Sequence, residues 1–307
     1  MKKTLVAVAA IAAFAGAHAD VTITGVLETA VLSKGGATSM NPGTNGTEFD
    51  FGVSDDLGNG LKAMGSVAIL MNPYDGETAY GNSAIGNAST ATSAGSVSHY
   101  NSYVGLAGSL GSLKLGQQFS PTFFAGAVGD VGGRSGLSSY QAGGLTGQVA
   151  NSATITSASI SGLVVQYQKV LNNSITAIQG KGYSGYSLTY TNGGLTAAYA
   201  GAKNSVYSTT TSGITEAVYG VSYDFGVAKV TAGGSAKNTA KSAASGVGIA
   251  VPFGAITVAV GTSKLSTTTA TDYGVSYAFS KRTLGYVGMN TTTSASNTTV
   301  AGIRHNF

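Results

Sequence analysis

The segment EAVYGVSYDF, residues 216–225, decides the fold class because its side chains alternate in character. One parity is apolar or aromatic: Ala217, Tyr219, Val221, Tyr223 and Phe225. The other parity is small or polar, with Val218 as the exception: Glu216, Gly220, Ser222 and Asp224. Successive side chains of a β-strand point to opposite faces of the sheet. The segment therefore predicts a strand with one apolar and one polar face.

The same alternation recurs along the chain, in TEFDFGV (47–53), YSLTYT (186–191) and TDYGVSYAF (271–279). Turn residues separate sixteen such segments. The predicted strands are 20–32, 47–57, 61–71, 97–110, 113–120, 147–160, 163–171, 183–191, 195–203, 216–225, 227–237, 246–253, 255–265, 271–280, 283–291 and 298–307. A soluble β-sandwich would show the same alternation, so composition has to separate the two classes.

Composition favours a barrel that spans a membrane. Charged residues make up 9% of the chain, against about 25% in ordinary soluble domains. The polar parity carries Gly, Ser, Thr and Ala rather than the charges that a water-facing surface needs. No stretch after the first 19 residues is apolar for the length of a membrane helix. Since only helices and closed barrels satisfy every backbone polar group in lipid, a transmembrane β-barrel is predicted.

The first 19 residues predict export. Lys2 and Lys3 precede the short apolar run TLVAVAAIAAFAGA, and AHA at 17–19 fits a small-residue cleavage site. We expect a signal peptide at 1–19 and a barrel domain at 20–307. Removal of both lysines lowers the formal net charge from +4 to about +2, which does not suggest nucleic acid as a partner. The chain has no cysteine, which excludes disulfides and cysteine-ligated metals.

The connections predict two different barrel rims. Short turns are expected at 58–60, 111–112, 161–162, 192–194, 253–254 and 281–282, and longer loops at 34–46, 73–96, 121–145, 172–182, 204–215 and 290–297. Short turns on the periplasmic side and longer external loops are typical of outer-membrane barrels. An even strand count allows the last segment, AGIRHNF (301–307), to pair with the first. In that strand Ile303 and Phe307 face lipid and Arg304 faces the lumen.

Four segments resemble general diffusion porins of β-proteobacterial outer membranes: ITGVLETAV (23–31), VSDDLGNGLKA (53–63), YVGLAGSLGSLKLGQQFSP (103–121) and VAGIRHNF (300–307). The resemblance implies an all-β, 16-stranded antiparallel transmembrane barrel in the cell outer membrane. It also implies a homotrimer, a third loop (121–145) folded into the lumen, and a passive channel for small hydrophilic solutes and ions.

The resemblance also directs attention to particular pore residues. Asp130 and Arg134 lie in the third loop, and parity turns Lys62, Lys114 and Arg304 to the lumen. At three positions where the family typically carries arginine, this chain has Glu48, Tyr100 and Gln117. Gln117 has the outward parity of Leu115, so a bulge at Gly116 is needed to turn it inward. Loss of the wall arginines predicts weak ion selectivity.

Further expectations concern partners and alternatives. The expected partners are outer-membrane lipid, lipopolysaccharide and the barrel-assembly machinery, which in the family reads a terminal phenylalanine, here Phe307. No cofactor, metal or enzymatic activity is expected: His99 and His305 are the only histidines after residue 19, and no nucleophile elbow is present. Two alternatives stay open. One is a closed or plugged barrel that acts as an adhesin or structural protein. The other is a solute-specific channel, disfavoured because the lumen parity carries few aromatic residues.

Overall fold

The chain forms one closed antiparallel sheet. The structure, a computed structural model, describes residues 19–41, 43, 46–71, 98–130, 147–171, 182–206, 212–237, 242–293 and 295–307. Its strands are β1 (Asp20–Lys34), β2 (Ala37–Asn41), β3 (Thr47–Gly58), β4 (Leu61–Met71), β5 (Ser98–Gly108), β6 (Gly111–Phe119), β7 (Gln148–Ser157), β8 (Leu163–Val170), β9 (Ser184–Asn192), β10 (Leu195–Val206), β11 (Ser212–Asp224), β12 (Lys229–Ser235), β13 (Ala244–Phe253), β14 (Ile256–Leu265), β15 (Thr268–Ala278), β16 (Thr283–Thr292) and β17 (Ala295–Asn306).

Pairing between the first and last strands closes the barrel. β1 pairs with β17 in a register that places Glu28 opposite Arg304. β2 pairs with the second half of β1 and β3 with its first half, so β2 and β3 are two segments of a single barrel strand. The barrel therefore has sixteen strands, and the predicted fold class is confirmed.

The connections at one rim of the barrel are short, and two of the loops expected at the other rim are shorter than the sequence predicts. At the rim that holds both chain ends, which we call the short-turn rim, connections are as short as two residues, for example 59–60 and 193–194. We call the opposite rim the loop rim. There the prediction of long loops at 34–46 and 290–297 was wrong. The former contains β2 after a turn at Gly35 and Gly36, both with positive φ. The latter shrinks to two residues between β16 and β17. The predicted loop at 73–96 and most of 172–182 lie outside the described residues.

Strand parity separates the two faces of the barrel as expected. Outward rows expose apolar and aromatic side chains, such as Val104 at 66% and Tyr219 at 50%. Inward rows carry small and polar residues, many of them buried, such as Ala200 and Gln168. None of the described helices is long and apolar enough to cross a membrane.

A single described helix, α1 (Pro121–Val128), follows β6. It starts here because the side chain of Ser120 accepts a hydrogen bond from the Phe123 N–H at 3.0 Å, and Pro121 occupies the first turn. The helix packs mainly against β9, β10, β11 and β12. Because the side chains it meets there lie on inward rows, α1 lies inside the barrel against a wall several strands away from β6.

Candidate functional site

Small side chains on the wall make room for α1. Ala125 of the helix packs against a buried apolar cluster formed by Ala198, Ala200 and Val218. A Cβ on Gly220 would overlap the carbonyl oxygen of Ala125, so only glycine allows the helix to approach this closely. Val218 is the residue that breaks the alternation of segment 216–225, and its side chain is completely buried. The exception in the pattern therefore lies at the docking position of the helix.

A polar contact fixes the first turn of α1. The Thr122 hydroxyl donates to Oε2 of Glu216 at 2.8 Å, and both side chains are buried. The hydroxyls of Ser120 and Thr122 lie 3.0 Å apart. Tyr183, also buried, lies over Gly185 on the same wall. We call Ser120, Thr122, Tyr183 and Glu216 the helix dock.

A second buried carboxylate lies at the strand pair that closes the barrel. The Tyr286 hydroxyl donates to Oε1 of Glu28 at 2.6 Å, and Nε of Arg304 donates to Oε2 at 2.8 Å. The Glu28 side chain is 0% exposed and the Arg304 side chain 14%. Gly43 covers the carboxylate, because a Cβ on Gly43 would overlap it. We call Glu28, Tyr286, Arg304 and Gly43 the seam cluster.

The remaining predicted wall charges lie on β3, β4 and β6. Glu48, on β3, shares the inward row of Asp50, whose carboxylate accepts from Ser66 at 2.7 Å. Lys62, on β4, pairs with Asp56 near the short-turn rim and is exposed. Lys114, on β6, places Nζ 4.3 Å from the ring centroid of Tyr103.

Gln117 keeps its outward parity. It pairs with Ser102, which in turn pairs with the outward residue Val67. The strand irregularity next to Gly116 places its extra residue in β7 rather than in β6. Gln118 is therefore the glutamine on the inward row, and it is buried.

Other predicted residues are described only in part. Asp130 follows α1, and its N–H donates to the carbonyl of Ala127 at 3.3 Å. Arg134 and the side chain of Tyr100 lie outside the described residues. Phe307 exchanges two backbone hydrogen bonds with Gly25, and its ring centroid lies 5.5 Å from that of Phe49. The terminal residue is thus paired with the first strand.

Sequence reasoning missed the helix dock and the aromatic face of α1. The lumen side of α1 carries Phe123 and Phe124. The alternation of side chains along strands cannot predict which residues of a helix inside the barrel face the lumen. Two features of the sequence could have indicated where the helix docks: Val218, and the run of alanines on the inward parity of β10. No group of acidic or histidine side chains able to hold a metal occurs among the described residues.

The family model for Gram-negative porins matches residues 7–297, nearly the whole chain. The chain belongs to the Gram-negative porin family. No curated protein sequence matches it. The membership places this porin in the outer membrane, where the family forms channels.

Solved structures show the same fold in this porin's neighbours. An anion-selective porin from Comamonas acidovorans is 17% identical with a TM-score of 0.71, covering 94% of this chain and 100% of that one. Salmonella typhi OmpF in complex with daunomycin is 14% identical with a TM-score of 0.66, covering 95% and 98%. The trimer form of Vibrio cholerae OmpT is 13% identical with a TM-score of 0.65, covering 94% and 99%.

Proposed function

We propose that this porin is a weakly ion-selective, passive channel for small hydrophilic solutes and ions. The observation that carries the proposal is a lumen wall with inward-facing charges of both signs. Glu48 and Asp50 supply negative charge, while Lys62 and Lys114 supply positive charge. An ion in the lumen meets both signs at short range, so neither cations nor anions are strongly excluded.

Within this channel, we assign Glu48, Lys62 and Lys114 to the wall and Asp130 and Arg134 to the constriction loop. Tyr100 stands where the family carries an arginine and adds no charge to the wall, whereas Gln117 lies on the outward row and is not assigned to the pore. Arg304 contributes less to the pore field than its parity suggests. Its guanidinium is held by Glu28, and the pair is nearly neutral as seen from the lumen.

Planar-bilayer recording tests the proposal. Stepwise conductance is expected, with a reversal potential in a tenfold salt gradient far below the roughly 59 mV of an ideal single-ion filter. A reversal potential near that limit would contradict weak selectivity. Absence of steps would contradict the open channel and favour a closed barrel.

Lipopolysaccharide is the proposed lipid partner because the outward lysines cluster at one rim. Lys169 on β8 lies opposite Ser184, which lies opposite Lys203 on β10. The two lysines are exposed, share the outward row and stand about 10 Å apart, two strand spacings. At the same rim Lys264 borders a groove of about 330 Å³, also lined by Lys237. Lysines on the outer surface at this rim are placed to bind the phosphates of a lipid headgroup.

A lipid-binding measurement separates phosphate recognition from general adhesion. We expect K169Q/K203Q to retain several-fold less bisphosphorylated lipid A in native mass spectrometry than the unmodified porin. The control variant K281Q/R282Q removes two exposed charges at the short-turn rim and should behave like the unmodified porin. Equal loss in both variants, or equal binding of dephosphorylated lipid, would contradict the site.

Remaining assignments concern maturation and assembly. We propose cleavage after Ala19, which N-terminal sequencing of the exported porin checks. We also propose a homotrimer, supported by the trimer form of the Vibrio cholerae neighbour.

Phe307 is proposed as the signal read by the barrel-assembly machinery. Its deletion should reduce insertion, and unchanged insertion would contradict that role. We propose no enzymatic activity and no cofactor.

A further inference from the structure

Three phenylalanine rings are in mutual contact where β6 leads into α1: Phe119 ends β6, and Phe123 and Phe124 lie on the lumen side of α1. The ring centroids of Phe119 and Phe123 lie 4.6 Å apart and nearly parallel, and Phe124 lies 5.5 Å from Phe119 and 6.0 Å from Phe123. We propose that the aromatic face of α1, Phe123 and Phe124, binds solutes that carry a planar aromatic ring. The inference rests on the proposed open channel and names a solute class that such a channel retains.

Helix geometry turns these rings away from the wall. Thr122 and Ala125 of α1 are buried and contact the wall through Glu216 and Ala200. Each residue advances about 100° around the helix, so Phe123 lies about 160° from Ala125 and Phe124 about 160° from Thr122. Because the helix lies inside the barrel, its far side faces the lumen. The Phe124 side chain is 50% exposed there.

Other aromatic rings on the inner side are engaged in different tasks. Tyr103 lies under the ammonium of Lys114, and Tyr286 donates to Glu28. Tyr183 is a buried member of the helix dock. Among the described residues, only α1 presents phenylalanine rings on the inner side, because Phe119 at the end of β6 shares the outward parity of Gln117. The aromatic face is thus a local apolar surface on an otherwise small and polar wall.

An exposed ring of this kind stays in water unless a solute covers it. Covering Phe124 removes apolar surface from water, and offset or edge-to-face contacts with neighbouring rings add to the gain. A sugar or an amino acid without an aromatic ring gains less from both contributions. The gain must stay small for transport, because a solute in a channel has to leave again. A short residence at α1, rather than tight binding, is the expected behaviour.

Two neutral solutes test this without interference from the wall charges. Phenyl β-glucoside and methyl β-glucoside share a sugar and differ in the ring. In planar bilayers we expect phenyl glucoside to interrupt the ion current with an apparent association constant about three- to tenfold above that of methyl glucoside. The variant F124L keeps an apolar side chain of similar volume on the helix but removes the ring, and should lose most of this preference.

F225L serves as the matched control, since Phe225 is an exposed phenylalanine at the short-turn rim. It should retain the full preference. A second variant, F123L/F124L, should abolish the preference, while a heat-resistant folded form verifies that each variant is intact. A conducting porin that treats both glucosides alike, or an F124L variant with unchanged preference, overturns the inference. A porin that does not conduct at all overturns the proposed channel instead.

Discussion

The seam cluster and the helix dock both bury a carboxylate on the inner wall, but they hold different things together. At the seam, Glu28 joins strands that already share a ladder of backbone hydrogen bonds, and its partner is the guanidinium of Arg304. At the dock, Glu216 joins a wall strand to a helix that shares no ladder with it, through the hydroxyl of Thr122. A buried carboxylate therefore stabilises the closure of the barrel at the seam, and at the dock it fixes the helix that shapes the pore.

The largest effect is expected from E28Q. It removes the charge that Arg304 faces in a buried site, where loss of one partner of an ion pair costs about 3–5 kcal/mol. The free energy of unfolding in detergent, or the temperature at which the folded form disappears, should fall accordingly. The double variant E28Q/R304M should recover part of the loss, since no unpaired guanidinium remains. E48Q is the control, and equal destabilisation by E48Q would remove the distinction between the seam and an ordinary wall charge.

T122V should affect the pore more than the barrel. It keeps the shape of the side chain but removes the donor to Glu216, which costs about 1–3 kcal/mol of helix docking. A loosened α1 should produce several conductance levels in single-channel recordings, with little change in thermal unfolding. T122S retains the hydroxyl and should keep one level. If T122V instead unfolds as easily as E28Q, the dock is part of barrel stability and the two regions do not differ as described.

G220V tests the dock from the other side. The new side chain meets the backbone of Ala125 and displaces α1 towards the centre of the lumen. Conductance should fall, whereas the fold remains because the strand ladder of β11 is unchanged. G147A adds a Cβ in open space and serves as the control. Unchanged conductance in G220V would mean that the helix does not narrow the pore.

The smallest effect is expected on ion selectivity. E48Q removes a half-buried lumen charge and should shift the reversal potential modestly towards anions. E28Q/R304M removes two charges of opposite sign that already compensate each other, so its reversal potential should match that of the unmodified porin. A larger shift in the double variant than in E48Q would show that the seam charges act on permeating ions.

Strand positions and the orientation of most side chains could be predicted, because they depend on a period of two within short segments. Segment 283–291, for example, corresponds to β16 at Thr283–Thr292. The strand at Ala37–Asn41 was missed because its polar residues resemble a loop, and only pairing with β1 makes it a strand. Gln117 keeps the outward parity that a regular strand predicts, because the bulge next to Gly116 lies on the neighbouring strand β7 and leaves β6 regular.

The linear order of residues was enough to predict a sixteen-stranded outer-membrane barrel, because lipid forces every strand to alternate and every backbone group to find a partner. It was also enough to place Arg304 on the inward parity. Tertiary structure alone decided that Arg304 meets Glu28, and that Thr122 meets Glu216 across 94 residues. Such contacts depend on where the closed sheet brings remote strands and on the path of one loop through the lumen. No local period carries that information.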